Sequence, residues 1–242
     1  MSAGPGDGGL VSLLEVDPDL AEHLPPDRVA AARRAGLVRV RRLRVGSWEP
    51  SGSTPEPDGF GLLVLSGFLV RRVGRDGRFG AEVLGRGDLL RPWQSPGRVA
   101  SQPFEASWQT IATAELAVLD RDFLRRVAPF PEIAERLVDR AMLRSRHLAL
   151  ELAIVQQRRV EQRLQMLFWL LADRWGYVTS HGVRVAAPLT HALLAELVAA
   201  RRPSVSAALG RLAEAGEVTR IGNEWIIRGS PAGGHGDEPA VT

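Results

Sequence analysis

The spacing of apolar residues changes character along this chain, and each change marks a different kind of element. From Leu37 to Val45 apolar and basic residues largely alternate (Leu-Val-Arg-Val-Arg-Arg-Leu-Arg-Val), as on a half-buried strand. A polar stretch, Gly46 to Gly59, follows as a loop. Phe60–Ser66, Phe68–Val73, Phe79–Leu84 and Trp108–Leu119 read as further strands. Gly-rich turns separate them at Ser66-Gly67, Arg75-Asp76-Gly77 and Gly85-Arg86-Gly87-Asp88. Many short strands with such turns predict an antiparallel barrel or jelly roll. Ahead of them, Pro18–Leu24 and Pro26–Arg34 read as short helices broken at Pro25-Pro26.

Helical spacing returns at Asp120. Arg121–Val127 is a short helix that stops before Pro129-Phe130-Pro131, and Glu132 to about Gln157 then runs without Pro or Gly. Within that run Ala134, Val138, Ala141, Ser145, Leu148, Leu152 and Val155 recur at intervals of four and three, a seam of three heptads. Small residues early and larger ones later fit two parallel copies crossing closely at one end. A helix lying on its own domain's core has similar spacing. Leu137, Leu143, Leu150 and Ile154 fall outside the seam and are expected to pack on their own chain, so both readings stay open.

A further helix, Arg158 to Trp175, ends at Gly176, and a small hairpin (Tyr177–Thr179, Val183–Ala186) follows. Next, Thr190 caps a helix whose apolar face is Leu193, Leu194, Leu197 and Val198. A basic turn, Ala200-Arg201-Arg202, leads to Pro203, a residue favoured just inside a helix start. In the second helix Val205, Ala208, Leu209 and Leu212 point one way, and Gly216 is the C-cap. Two short helices with an exposed cationic face predict a helix-turn-helix, although a plain helical hairpin has the same outline. Val218–Ile221 and Glu224–Arg228, joined by Gly222-Asn223, form a two-residue-turn hairpin that turns the motif into a winged helix. The fold class is therefore α+β. The segments are a disordered Gly-rich start (1–9), a strand-rich domain (10–130), a long helix (131–156), a winged helix-turn-helix (157–228) and a disordered tail (229–242). The domain boundary falls near Gln156-Gln157.

Composition narrows the function. The chain has 242 residues, 45% of them hydrophobic and 24% charged, ordinary for a globular protein. All 31 basic residues are Arg, which explains a pI of 10.6 beside a net charge of only +3. Arg without Lys fits a GC-rich genome better than nucleic-acid binding, so the placement of the arginines matters more than their number. No cysteine is present, which excludes disulfides, thiolate-bound clusters and sulfur-based zinc sites. The apolar runs are too short to span a membrane and the N-terminus lacks the regions of a signal peptide, so a cytoplasmic protein without membrane partners is expected.

A strand-rich domain, a long helix and a winged helix, in that order, resemble the Crp/Fnr family of bacterial transcription regulators over roughly Leu13 to Arg228. Gly61-Leu-Leu-Val-Leu-Ser-Gly67 with Phe68-Leu-Val is similar to a family strand and turn, and Gly85-Arg-Gly87-Asp88 to its "GxGD" turn. Ala114-Glu-Leu-Ala-Val-Leu-Asp120 with Phe123 is similar to the strand and helix start that close the family's barrel. Arg202-Pro-Ser-Val-Ser-Ala-Ala-Leu-Gly-Arg-Leu212 resembles the recognition-helix pattern R-E-x-V-x-R-x-L-x-x-L. The resemblance implies a cyclic-nucleotide-binding-like jelly roll acting as sensor, a homodimer joined through the seam, and a near-palindromic double-stranded DNA site. RNA polymerase is a further partner it suggests.

The departures from the family pattern are informative. Cyclic-nucleotide-binding members carry Gly-Glu two residues after the "GD" turn and a later Arg-Ser/Thr-Ala that holds the phosphate. Here those positions are Arg91-Pro92 and, within about a residue, Phe104-Glu105-Ala106. Binding of cAMP in the family's manner is therefore expected to be absent, and no cofactor is implied. Arg91 offers a displaced positive charge, and Trp93, Phe104 and Trp108 are candidate lining for a different effector. In the reading helix Arg202 keeps the family's residue and can fork onto guanine, whereas Pro203 and Ala207 replace its Glu and second Arg. Arg201, Ser204, Ser206 and Arg211 are candidate base or phosphate contacts, with Arg220 and Arg228 on the wing. Ala199 stands at the family's tight-turn Gly.

An enzyme is the competing class. A metal-dependent cupin needs His and Glu ligands in its barrel, but His23, His147, His181, His191 and His235 all lie outside the expected strands. No nucleophile elbow, phosphate-cradling loop or H-E-x-x-H is present, so neither catalysis nor a metal is expected. A degenerate regulator acting as a protein-interaction module without specific DNA binding stays open.

Overall fold

The computed structural model describes residues 6–50, 59–92 and 104–230. The chain divides into two compact units, Met1–Leu148 and Ala149–Thr242.

The first unit begins with β1 (Gly6–Ser12), α1 (Leu13–Val16), a 3-10 turn at Pro18–Ala21 and α2 (Pro26–Ala35). The strands β2 (Leu37–Leu43), β3 (Gly46–Trp48), β4 (Gly61–Arg75), β5 (Arg78–Leu84), β6 (Leu89–Leu90) and β7 (Glu105–Leu119) follow. After them come α3 (Arg121–Val127) and α4 (Pro131–Val155). All described pairings are antiparallel, in the order β1-β2-β7-β4-β5, with β3 on β7 and β6 on β4. The expected α+β class with an antiparallel N-terminal sheet is what forms. Among the described residues the strand order is an open path.

Three expectations are corrected here. Residues 6–9, read as part of a disordered start, belong to β1, which pairs with β2 from Gly6 against Arg42 to Ser12 against Leu37. Backbone pairing on an available strand edge overrides the low strand preference of glycine. Phe60–Ser66 and Phe68–Val73 are one strand. Gly67 (φ +78°) sits in a bulge within it, where a Cβ would lie 2.1 Å from the Thr113 carbonyl oxygen. A glycine inside a strand can mark close backbone approach as well as a turn. The polar loop read from Gly46 begins instead with β3, whose Trp48 is buried.

Alternation along β4 and β7 builds two cores from one sheet. Leu63, Leu65, Ala117 and Leu119 join Leu13, Leu14, Phe123, Ile133 and Leu137 in a core between sheet and helices. Leu62, Val64, Leu116 and Val118 face the other way, onto Trp48, Leu69, Leu84 and Trp108. Residues from both halves of β4 meet in this second core, so the sheet is folded over on itself.

Helix α4 meets its unit through one apolar stripe and one row of charges. Ile133 and Leu137 are fully buried. Arg136, Arg140 and Arg144, one turn apart, reach Glu22, Asp17 and Glu82. Arg140 forks onto both Asp17 oxygens, the Nη2 bond being 2.8 Å. Arg144 donates from Nε and Nη2 to Glu82 at 2.8 and 2.9 Å, and from Nη1 to the Leu89 carbonyl at 2.9 Å.

The second unit contains the end of α4, then α5 (Val160–Trp175), β8 (Gly176–Thr179), β9 (Gly182–Val185), α6 (His191–Leu197), α7 (Arg202–Glu214), β10 (Val218–Ile221) and β11 (Glu224–Ile227). Its sheet runs β10-β11-β9-β8. Phe168 on α5 packs against Trp225 with ring centroids 5.0 Å apart, and Leu193, Leu194, Val205 and Leu209 complete the core. The long helix ends at Val155 as its pattern predicts, whereas the compact units part earlier, between Leu148 and Ala149.

Candidate functional site

The helix-turn-helix has the outline its apolar spacing predicts. Thr190 caps α6 by accepting from the Leu193 N–H at 3.2 Å. Gly216 (φ +73°) closes α7, and Glu217 N–H reaches back to the Leu212 carbonyl at 2.9 Å. The turn between the helices passes through Ala199 at φ +49°, a left-handed conformation that costs a residue with a Cβ. Ala200 N–H bonds the Ala195 carbonyl at 2.9 Å, sealing the end of α6. Arg163 on α5 holds the turn in place: Nη1 donates to the carbonyls of Val198 and Ala199 at 2.9 and 3.1 Å, and Nε to that of Gln157 at 2.7 Å. This latch was missed in the sequence, because an Arg bonded to backbone carbonyls leaves no spacing signature.

The candidate contact residues fall into two groups. Arg201, the N-cap of α7, and Arg202 and Ser204 in its first turn are exposed, and neither guanidinium bonds any described residue. Pro203 fits there because first-turn N–H groups have no intrahelical partner. The other candidates are tied within the unit. Ser206 is half-buried, its Oγ 2.9 Å from His191 Nδ1. Arg211 donates from Nε to Glu161 Oε1 at 2.7 Å, so it links α7 to α5. The Glu161 carboxyl lies below its ordinary value of 4.5, held there by its own backbone N–H and then by Arg211. On the wing, the Arg220 guanidinium lies over Trp225 at 5.6 Å and Nε donates to the Gly222 carbonyl at 2.9 Å. Arg228 donates to the His181 carbonyl at 2.8 Å.

The three described candidate effector residues, Arg91, Phe104 and Trp108, differ in their surroundings. Trp93 lies outside the described residues. Trp108 is buried in the sheet core, edge-on to Trp48 at 5.6 Å, while Phe104 is exposed. Spacing along the chain does not separate an aromatic residue that packs in a core from one that lines a pocket. Arg91 Nε donates to the Phe60 carbonyl at 3.2 Å and Nη2 to that of Gly59. Arg91 also borders a cleft of about 340 Å³, with Phe60, Leu89 and Leu90 on one side and Leu137, Val138, Ala141, Met142 and Arg144 of α4 on the other.

None of the seven seam residues is buried. Val138 is 51% and Leu152 68% exposed, Ala141 and Ser145 are exposed, and Ala134, Leu148 and Val155 are intermediate. The packing of α4 on its own chain uses Leu137 and Ile154 as expected. Leu143 and Leu150 instead are 48% and 51% exposed, because they stand on the helix face away from Ile133 and Leu137. Among the described residues no group of three His, Cys, Asp or Glu could hold a metal. No described helix is long and apolar enough to cross a membrane.

Comparison with known proteins agrees with this geometry. Residues 162–230 match the Crp-like helix-turn-helix domain. The chain is 30% identical over 182 residues to the CRP-like cAMP-activated global transcriptional regulator of Mycobacterium tuberculosis, covering 72% of this chain and 78% of that one. Among solved structures, a cyclic nucleotide-binding domain containing protein from Listeria monocytogenes shares the fold with TM-score 0.64 at 15% identity, over 89% of this chain and 97% of that one. A CooA mutant from Carboxydothermus hydrogenoformans does so with TM-score 0.60 at 16% identity, over 90% and 92% of the two chains. Sequence and fold together show that the chain belongs to the Crp/Fnr family of transcription regulators.

Proposed function

We propose that this regulator is a cytoplasmic homodimer that reads a near-palindromic DNA site through the first turn of α7 and responds to a small effector other than cAMP. The observation that carries the DNA reading is the exposed Arg201-Arg202-Ser204 turn on a helix whose entry is held by Arg163. Arg202 presents a bidentate donor to guanine; Arg201 and Ser204 supply phosphate contacts. Ser206 and Arg211 serve the scaffold, and Arg220, exposed over Trp225, stands on the wing for a contact to the DNA backbone. The unburied seam on α4 supports pairing of two copies, which would set two reading helices about one DNA turn apart. The relative that is cAMP-activated does not carry that property over, because Pro92 stands where the family's ribose-binding Glu would be and Phe104-Glu105-Ala106 places no Arg at the phosphate position.

Recovery of bound genomic DNA with the natural chain and with Arg202→Ala tests this directly. Expected is a shared palindromic word that loses its preference at one position per half-site in the variant. An unchanged preference would remove Arg202 as the reader. Affinity that barely moves with salt would favour a protein-interaction module.

A further inference from the structure

The cleft beside α4 has a definite chemistry. Its floor is apolar: Leu90 and Leu137 are almost wholly buried, and Phe60, Leu89 and Met142 stand around them. Two guanidiniums border it, and their states differ. Arg144 is committed, with Nε and Nη2 on Glu82 and Nη1 on the Leu89 carbonyl. Arg91 bonds only the carbonyls of Gly59 and Phe60 through Nη2 and Nε, so Nη1 donates to no described residue and no described carboxylate offsets the charge. Its stem is held where it is. Gly61 (φ +111°) passes so close that a Cβ there would lie 2.9 Å from Arg91 Cγ and 2.4 Å from the Leu90 carbonyl oxygen.

We propose that this cleft binds a small amphipathic monoanion, an aryl or alkyl carboxylate, with its carboxylate on Arg91 and its apolar body against Phe60, Leu89, Leu137 and Met142. One uncommitted cationic edge suits one carboxylate. A cavity of about 150 Å³ admits benzene, so a cleft of about 340 Å³ has room for roughly a dozen non-hydrogen atoms. A cation is disfavoured by two neighbouring guanidiniums, and Pro92 offers no carboxylate to a nucleotide's ribose. The site gives the chemical class of the effector proposed above and rests on that reading for its regulatory role; Val138 and Ala141 belong to both cleft and seam.

The chain's three methionines, Met1, Met142 and Met166, make the test internal to the full-length protein. With carbon-13 methionine methyls at fixed protein concentration, phenylpropionate and octanoate are titrated beside the neutral phenylpropanol, and the oligomeric state is followed by sedimentation. Expected is a saturable shift of Met142, in the cleft, with Met166, in α5, unmoved. Arg91→Gln should weaken acid binding about tenfold, the value of one charge-assisted pair, and leave the alcohol unaffected. Arg91→Lys, which keeps the charge, should recover part of the loss and shows that the Gln effect is not misfolding. Three results would overturn the proposal: neither acid moves Met142; acid and alcohol bind alike with and without Arg91; or Met142 responds to protein concentration and not to acid, which would make the cleft part of the interface. A chain that binds the acids yet recovers no DNA word would sink the DNA reading and leave this site standing.

Discussion

Arg136, Arg140 and Arg144 form a ladder whose rungs should differ in strength by a calculable order. All three pair with carboxylates, but those carboxylates are 59% exposed at Glu22, 4% at Asp17 and 7% at Glu82. Replacing Arg140 by Met keeps much of the apolar stem and leaves the Asp17 carboxylate buried without its fork. Losing one partner of a buried pair costs about 3–5 kcal/mol. At Arg144 the stranded Glu82 still has Arg71 at 2.8 Å, which reduces the expected cost to about 2–3 kcal/mol. Arg136→Met falls in the exposed class, about 0.2–1 kcal/mol. Urea unfolding of the full chain, read at the Met142 methyl for the first unit and at Met166 for the second, separates these losses from any change in the winged helix. The double change Arg140→Met with Asp17→Val should recover most of the loss, since an apolar pair in place of a buried ion pair is often neutral. Equal costs at all three rungs, or a double change that costs the sum of its parts, would refute burial as the source of the ladder's strength.

Other outcomes follow from single residues. Ala199→Gly relieves a left-handed alanine worth about 1–2 kcal/mol and gives back about 0.5–1 in unfolded-chain freedom, so thermal unfolding of the second unit should show a net gain of roughly 0.5–1 kcal/mol; a loss would mean that the turn is not strained. Because the folded Glu161 carboxyl lies below its ordinary 4.5, it stabilises the fold above that pH, and the contribution fades as pH falls through the folded value. The advantage of the natural chain over Glu161→Gln should therefore be full near neutrality and shrink in acid; an advantage that grows in acid contradicts the assignment. Leu152→Asp places a charge on the exposed seam, and sedimentation equilibrium should show a shift to monomer with the Met166 signal unchanged. A dimer of undiminished strength would move the interface elsewhere.

Wherever one strong local rule acted alone, the amino-acid order was sufficient. Apolar spacing and caps predicted α6, α7 and the wing nearly to the residue, because Thr190, Pro203, Gly216 and Gly222-Asn223 act on their immediate neighbours. On α4, helical spacing marked two stripes without saying which packs on the chain itself; Leu137 is buried, whereas Val138 and Leu152 are exposed. Tertiary structure decided the rest. Gly67 was a turn by local rules and became a bulge only because β7 lies against it. Gly6–Ser12 became a strand because β2 offered an edge. Trp108 was taken into the core by Trp48, while Arg91 found a cleft closed by a helix some fifty residues further along the chain. Ser206 and Arg211 have partners, His191 and Glu161, that their spacing did not show. Which charged side chain remains available to a ligand depends on partners far away in sequence, and spacing along the chain carries no record of those partners.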